Sequence, residues 1–198
     1  MTALTRALEL LESAVGYTLA CTAMVTPEQL SRSTPCPAWD LAMLLGHLTD
    51  SAGVLHEAVR AGRVGTSAAP GGADPVPRLR RQLAELLGCA AAAGPADRPV
   101  AVRDRELTAS MVAVTGAIEI TAHGWDIGVA CGRTQPVPPG LATAALAAAR
   151  LLIPPDARPG LFADPVALPG PACPGDELIA FLGRRPVRGD SRGTSWSA

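Results

Sequence analysis

Lysine and asparagine are missing from the 198-residue chain, so all 17 basic residues are arginine. The first absence excludes Schiff-base catalysis through a lysine side chain. Isoleucine, tyrosine and phenylalanine are scarce while alanine, glycine and proline abound. The chain thus avoids AT-rich codons and uses GC-rich ones, which predicts a GC-rich gene. Aromatic residues make up only 3% of the chain, too few for a base-stacking surface. Neither sign of charge dominates: 17 basic residues stand against 18 acidic ones, a net charge of −1. Such a balance offers no broad basic footprint for nucleic acid or an anionic membrane. No apolar run approaches the roughly 18 residues of a membrane span. The opening MTALTRALELLESAVGYTLA carries Arg6, Glu9 and Glu12 inside its apolar periodicity, which reads as an amphipathic helix and not a signal peptide. Five cysteines (Cys21, Cys36, Cys89, Cys131, Cys173) are scattered without a CxxC pair, so neither a disulfide framework nor a cysteine-rich zinc site is expected. A cytoplasmic protein follows, monomeric or homodimeric, with no nucleic-acid or membrane partner.

What is present is helical periodicity. The first predicted helix runs from Leu4 to Met24 on the stripe Leu8, Leu11, Val15 and Leu19. A proline-bearing loop over residues 26–39 follows, and Asp40 is the N-cap of a second helix, Leu41 to Arg60. Residues 62–77 read as a flexible connector, and a third helix spans Pro77 to Ala93. An extended stretch, Pro99 to Arg103, precedes a fourth helix from Thr108 to Cys131, closed by Gly132. The fifth helix starts near Pro139 and ends before Pro154. Asp176 is read as the cap of a short closing helix, Glu177 to Leu182, with a polar, frayed stretch beginning at Arg184. With no convincing strand pattern, the expectation is an all-α, up-and-down bundle of four long helices with additions. Its length favours one domain: residues 1–153 form the bundle, 154–186 a proline-rich extension of the same domain, and 187–198 a flexible tail.

The fourth helix is apolar nearly all round, so it is expected to be buried by neighbours on several sides. Glu119, His123 and Asp126 interrupt it. Glu119 and His123 are four apart and stack on one face. A buried carboxylate is costly unless it is paired or bound to a metal. His47, between Leu44 and Leu48 on the second helix, is the facing candidate. Two histidines and a carboxylate from two helices leave a metal coordination position open. The alternative is a hydrogen-bonded core histidine and a separate buried Glu119–His123 pair, and the residues alone leave both open. His56, nine residues past His47, points to the opposite side of the same helix. Asp126 is on the Glu119–His123 face, where it either orients a ligand or bonds the helix end. Cys36, between two prolines, is read as loop packing before a reactive thiol. Arg78, Arg80 and Arg81 are read either as anion binders or as a solvated helix face.

The segment STPCPAWDLAMLLGHLTD (Ser33 to Asp50) resembles the loop-to-helix signature of the DinB-like metal-binding four-helix bundles, in the branch of the mycothiol-dependent maleylpyruvate isomerases. There a TPCPGWD loop precedes a helix with a ligand histidine. EITAHGWDIGVACG (Glu119 to Gly132) resembles the same branch's E-x-x-x-H-G-W-D segment, and DELIAFLGRRP (Asp176 to Pro186) its short closing helix. The resemblance implies a DinB-like bundle with an extra helix and a long crossover after the second or third helix. It also implies a divalent metal, taken as Zn2+, on His47, Glu119 and His123, and mycothiol as the low-molecular-weight thiol partner. A metal-coordinated thiol is deprotonated at neutral pH, and the thiolate attacks an electrophile. Mycothiol is the thiol of GC-rich actinobacteria, in keeping with the composition. The full isomerases resemble two-domain proteins, whereas here the match is followed by a short tail. The expectation is therefore a mycothiol S-transferase acting on an electrophilic small molecule. Its alternatives are a hydrolase, cyclase or isomerase using metal-bound water, and a non-catalytic metal-binding stress or regulatory bundle.

Overall fold

Capping chemistry sets the helix boundaries. The computed structural model describes residues 1–64, 74–94, 96–102, 105–133, 135–158 and 162–186. Among them are six α-helices: α1 (Ala3–Thr22), α2 (Leu41–Ala61), α3 (Pro75–Ala91), α4 (Ala109–Ala130), α5 (Pro139–Leu152) and α6 (Pro174–Phe181). The Asp40 carboxylate accepts from the Met43 amide at 2.8 Å and opens α2 as its sequence predicts. Thr108 opens α4 in the same way, accepting from the Met111 amide at 3.2 Å. At the other ends, Gly62 (φ 66°) and Gly132 (φ 71°) take the left-handed conformation that stops α2 and follows α4. The cap of α6 differs from expectation: Cys173, not Asp176, is the N-cap, its sulfur accepting from the Asp176 amide at 3.5 Å. Asp176 falls in the first turn, where its charge suits the helix N-terminus.

The extended stretch expected at Pro99 to Arg103 forms strand β1 (Pro99–Val102), and a second strand that was not expected, Arg105–Thr108 (β2), pairs antiparallel with it, Val100 opposite Leu107. The hairpin also binds the end of α2, through Val64 N–H to Ala101 C=O and Ala101 N–H to Gly62 C=O, both at 3.0 Å.

The core is leucine-rich. Leu11, Leu41, Leu44, Leu45, Leu48, Leu79, Leu83 and Leu86 are fully buried, each contributing roughly 2 kcal/mol of transfer free energy. Helix α4 runs between α1, α2 and α5 and buries most of its surface, as its apolar sequence predicts. Its closest approach is to α1: a Cβ on Gly124 would overlap Thr18 Oγ1 and come within 3.2 Å of Thr18 Cα.

Helix directions depart from the up-and-down expectation. Arg78 meets Asp50 at 3.4 Å, and the Cys89 sulfur lies 3.9 Å from the His56 carbonyl. Numbers rise together, so α3 is parallel to α2. Helices α1 and α4 are likewise parallel: Thr18 donates to the Ile120 carbonyl at 2.8 Å, and further along Met24 approaches Gly128. Between α2 and α4 the order reverses, with Leu55 against Gly116 and Ser51 against Glu119. The bundle is therefore up-down-down-up, with its crossover between α2 and α3. Most of that connector, residues 65–73, lies outside the described residues, as does the expected tail at 187–198.

Two irregular segments flank the bundle, and the turn that follows α6 brings Arg184 to 3.8 Å from Cys36, just before α2 begins. The first joins α1 to α2 and is closed by Leu41 N–H to Arg32 C=O and Ala42 N–H to Leu30 C=O, both at 2.9 Å. Within it, Thr34 Oγ1 accepts from the Cys36 amide at 3.1 Å and lies 3.1 Å from the Trp39 carbonyl. Ala38 adopts φ 65°, a left-handed conformation that costs an L-residue about 1–2 kcal/mol. That is the position where the resembling TPCPGWD loops have glycine. The second segment is the extension after α5. Buried Arg158 donates to the carbonyls of Ala163 (2.7 Å) and Phe181 (2.6 Å), with the Phe162 and Phe181 rings beside it. Its three polar contacts and two rings dock the end of α6 on the extension.

Candidate metal centre

Helix α2 presents His47 nearly two turns after its start, and α4 presents Glu119 and His123 on one stripe. Because α2 and α4 are antiparallel neighbours, these three side chains converge. One ligand atom from each lies within 4.8 Å of the others. His47 Nε2 is 3.1 Å from Glu119 Oε1, and the two imidazole rings stand edge to face with centroids 5.1 Å apart. Ser51, one turn past His47, donates to Glu119 Oε1 at 2.6 Å. Burial pushes the Glu119 carboxyl up, but hydrogen bonds from His47 and Ser51, with the histidine charges, outweigh it and leave the group below its ordinary value.

Asp126 lies behind His123, fully buried. Its Oδ2 is 3.0 Å from His123 Nδ1, accepts from Arg184 Nη2 at 2.8 Å, and lies 3.4 Å from the Cys36 thiol. Arg184 Nε reaches the other oxygen, Oδ1, at 3.2 Å. Burial pushes the Asp126 carboxyl up, and the hydrogen bonds from His123 and Arg184 more than reverse it. A proton on His123 Nδ1 aimed at this carboxylate leaves Nε2 as the nitrogen free to ligate.

The cluster is open on one side. His47 and Glu119 side chains are 36% and 34% exposed, whereas Asp126 is at 0%. Trp39 forms a wall of this opening, its ring centroid 4.7 Å from that of His47 and 6.3 Å from that of His123. Two imidazoles and a carboxylate form a donor set that zinc accepts, with metal–ligand distances of about 2.0–2.2 Å. Ligands at that radius sit roughly 3.4 Å apart in a tetrahedral arrangement. The His47–Glu119 separation of 3.1 Å is close to this, and the three donor atoms, all within 4.8 Å of one another, are near the spacing one ion requires.

Residues 11–128 match the family described as the mycothiol maleylpyruvate isomerase N-terminal domain. The chain belongs to that family. The matched span runs from within α1 to near the end of α4 and includes His47, Glu119, His123 and Asp126. Two curated relatives, the uncharacterised proteins MT0763 and Rv0738 of Mycobacterium tuberculosis (strains CDC 1551 and H37Rv), are each 31% identical over 170 residues. Those alignments cover 83% of this chain and 90% of each relative. No solved structure gives a significant match. Among the described residues, no helix is long and apolar enough to cross a membrane.

Some residues around the candidate site were not legible in the sequence. Cys36 is not mere loop packing: its sulfur faces His123 (3.9 Å), Asp126 and Arg184. Nor is it a poised nucleophile. Burial and the Asp126 charge push its thiol up to about 12, against a smaller downward pull from Arg184. We expect Ellman's reagent near neutral pH to modify Cys36 roughly a hundredfold or more slowly than exposed Cys173, since only thiolate reacts. Mass-spectrometric mapping of labelled cysteines would check this, and prompt labelling of Cys36 would contradict it. Arg184, expected in a frayed stretch, is instead held against Asp126. Arg78 is against Asp50, while Arg80 and Arg81 are exposed. His56 is half-buried on α2, outside both the His47–Glu119–His123 group and the Cys36–His123–Asp126 group.

Proposed function

We propose that His47, Glu119 and His123 hold a divalent metal, zinc, and that the protein is a mycothiol S-transferase of the cytoplasm acting on an electrophilic small molecule. The supporting observation is the convergence of these three donors at an open cleft in a chain of this family. When bound, the metal would supply a thiol acidified to its thiolate at neutral pH.

The chain's own residues prepare that chemistry. Asp126 holds the Nδ1 side of His123 so that Nε2 faces the cleft, and Ser51 restrains the Glu119 carboxylate. Trp39 covers one side of the two imidazoles and excludes water there while leaving an entrance. In the transfer, the thiol's S–H proton leaves to solvent, a sulfur–carbon bond forms, and the electrophile's leaving group departs with its electron pair. Cys36 does not enter, since its thiol stays protonated beside Asp126.

Protein purified without chelator, analysed for metals and incubated with mycothiol and monochlorobimane, is expected to yield the bimane thioether with release of chloride. Product should require the metal and the thiol together. Consumption of an electrophile at the same rate without thiol would overturn S-transfer in favour of a water nucleophile.

A further inference from the structure

We propose that Arg184, on the turn after α6, is a positioning residue of the metal centre, so that the C-terminal extension completes a site whose ligands all lie in the four-helix bundle. This rests on the metal reading above. It goes beyond it by giving a role to Arg184, which follows the closing helix and lies beyond the matched residues 11–128, whereas the resemblance of that segment implied a short helix alone.

The contact is built, not incidental. Arg184 grips Asp126 with two donors, Nη2 to Oδ2 at 2.8 Å and Nε to Oδ1 at 3.2 Å. Such a two-pronged pairing fixes both the position and the rotation of a carboxylate. With Oδ1 held by Nε, Oδ2 is presented to His123 Nδ1 at 3.0 Å. Asp126 is at 0% exposure and Arg184 at 14%, so solvent supplies little alternative solvation to either. A buried carboxylate without this partner would lose its orientation and its charge balance together.

The chain devotes several features to delivering Arg184. Helix α6 ends in a Schellman turn, with Arg184 N–H bonded to Ile179 C=O and Gly183 N–H to Ala180 C=O, both at 3.0 Å. Gly183 makes the reversal at φ 83°, pressed against Ala163, where a Cβ would come within 2.8 Å of the carbonyl oxygen. Arg158 bonds the carbonyl of the same Ala163 and that of Phe181, the last residue of α6. Extension, helix cap and guanidinium thus lead to one carboxylate and, through it, to one imidazole.

The test compares wild type, Arg184→Ala, Arg184→Lys and Arg184→Gln in the full-length chain. Zinc affinity is read by competition with a chromophoric chelator, and the His123 tautomer by nitrogen-15 NMR of the metal-free protein. The alanine variant is expected to bind zinc about 10–100-fold more weakly, the range found for outer-shell partners of ligand histidines. Its His123 should lose the uniform Nδ1–H tautomer, and lysine should recover part of both. Placing Arg184→Ala on an Asp126→Asn background should weaken zinc binding no further. Unchanged zinc affinity and tautomer in Arg184→Ala, even with lowered thermal stability, would reduce the contact to a fold contact and overturn the proposal. Should the alanine variant not fold, Arg184→Gln, which keeps donors without charge, decides by the same two readouts. Should wild type not bind zinc, the metal reading fails. The tautomer comparison then still supports or overturns the positioning of His123 by Arg184.

Discussion

Replacing His123 with alanine is expected to weaken zinc binding by at least about a hundredfold and to abolish thiol conjugation while leaving the helical fold in place. Structural zinc sites with four ligands gather about 10–16 kcal/mol, so one ligand accounts for about 3 kcal/mol, and 1.4 kcal/mol is a factor of ten. Of the three proposed ligands His123 is the one whose loss should cost most, because it is the most buried of the three donors and the one with a dedicated partner behind it. His47 and Glu119 each lie about one-third exposed, where water can substitute for a missing ligand atom. His123→Ala should therefore exceed His47→Ala and Glu119→Gln in effect. The fold should survive: Asp126 keeps its two bonds to Arg184 and its contact with Cys36, so no buried charge is left unpaired. His56→Ala is the internal control, since His56 is not among the three candidate ligands. Zinc titration and circular dichroism on the four variants would check this. Equal zinc affinity in wild type and His123→Ala would sink the proposed centre.

The readable part of this molecule is local. Asp40 before an apolar stripe, and Gly132 after one, mark helix ends because the chemistry of a cap involves residues only a few positions apart. Helix α4 announced its burial through apolar residues on every side, and the polar interruptions at Glu119, His123 and Asp126 stood out for that reason. The residues alone did not give helix direction, and the resemblance left the long crossover after either the second or the third helix. The stripe of α3 (Leu79, Leu83, Leu86) buries equally well whichever way the helix runs, so only contacts such as Arg78 with Asp50 reveal that α3 parallels α2. Strand β2 was hidden for another reason: Arg-Glu-Leu-Thr has a single apolar residue, and its pairing with β1 fixes it. Arg184 is the plainest case. It stands 58 positions from Asp126 in a stretch rich in arginine, glycine and proline, and nothing local distinguishes it from its neighbour Arg185. Its role comes from a helix cap and from burial, neither of which is a property of the residue itself.

Gly124→Ala is expected to destabilise the protein by about 2 kcal/mol, although alanine is the better helix former. Intrinsic propensity alone would favour alanine by about 1 kcal/mol in the middle of α4. Against it stands the closeness of α1. The added Cβ would overlap Thr18 Oγ1 and approach Thr18 Cα to 3.2 Å, so moving one side chain does not relieve it and the helices must part. Overpacking of this kind costs about 1–3 kcal/mol. Thr18 cannot turn away freely, because its hydroxyl donates to the Ile120 carbonyl at 2.8 Å and is buried, and losing that bond adds about 1 kcal/mol. The penalties exceed the propensity gain, and a loss of about 2 kcal/mol corresponds to roughly 4–8 °C in Tm for a chain of this length. Gly88→Ala is the matched comparison. It sits in exposed α3 helix with nothing within 4 Å of a built Cβ, so the propensity gain stands alone and Tm should rise slightly. Opposite signs for two glycine-to-alanine changes would locate the constraint in the α1–α4 contact. Wild-type stability in Gly124→Ala would mean that α4 can shift from α1 at no cost, and His123, one residue away, would not be held at the spacing from His47 that the metal centre needs.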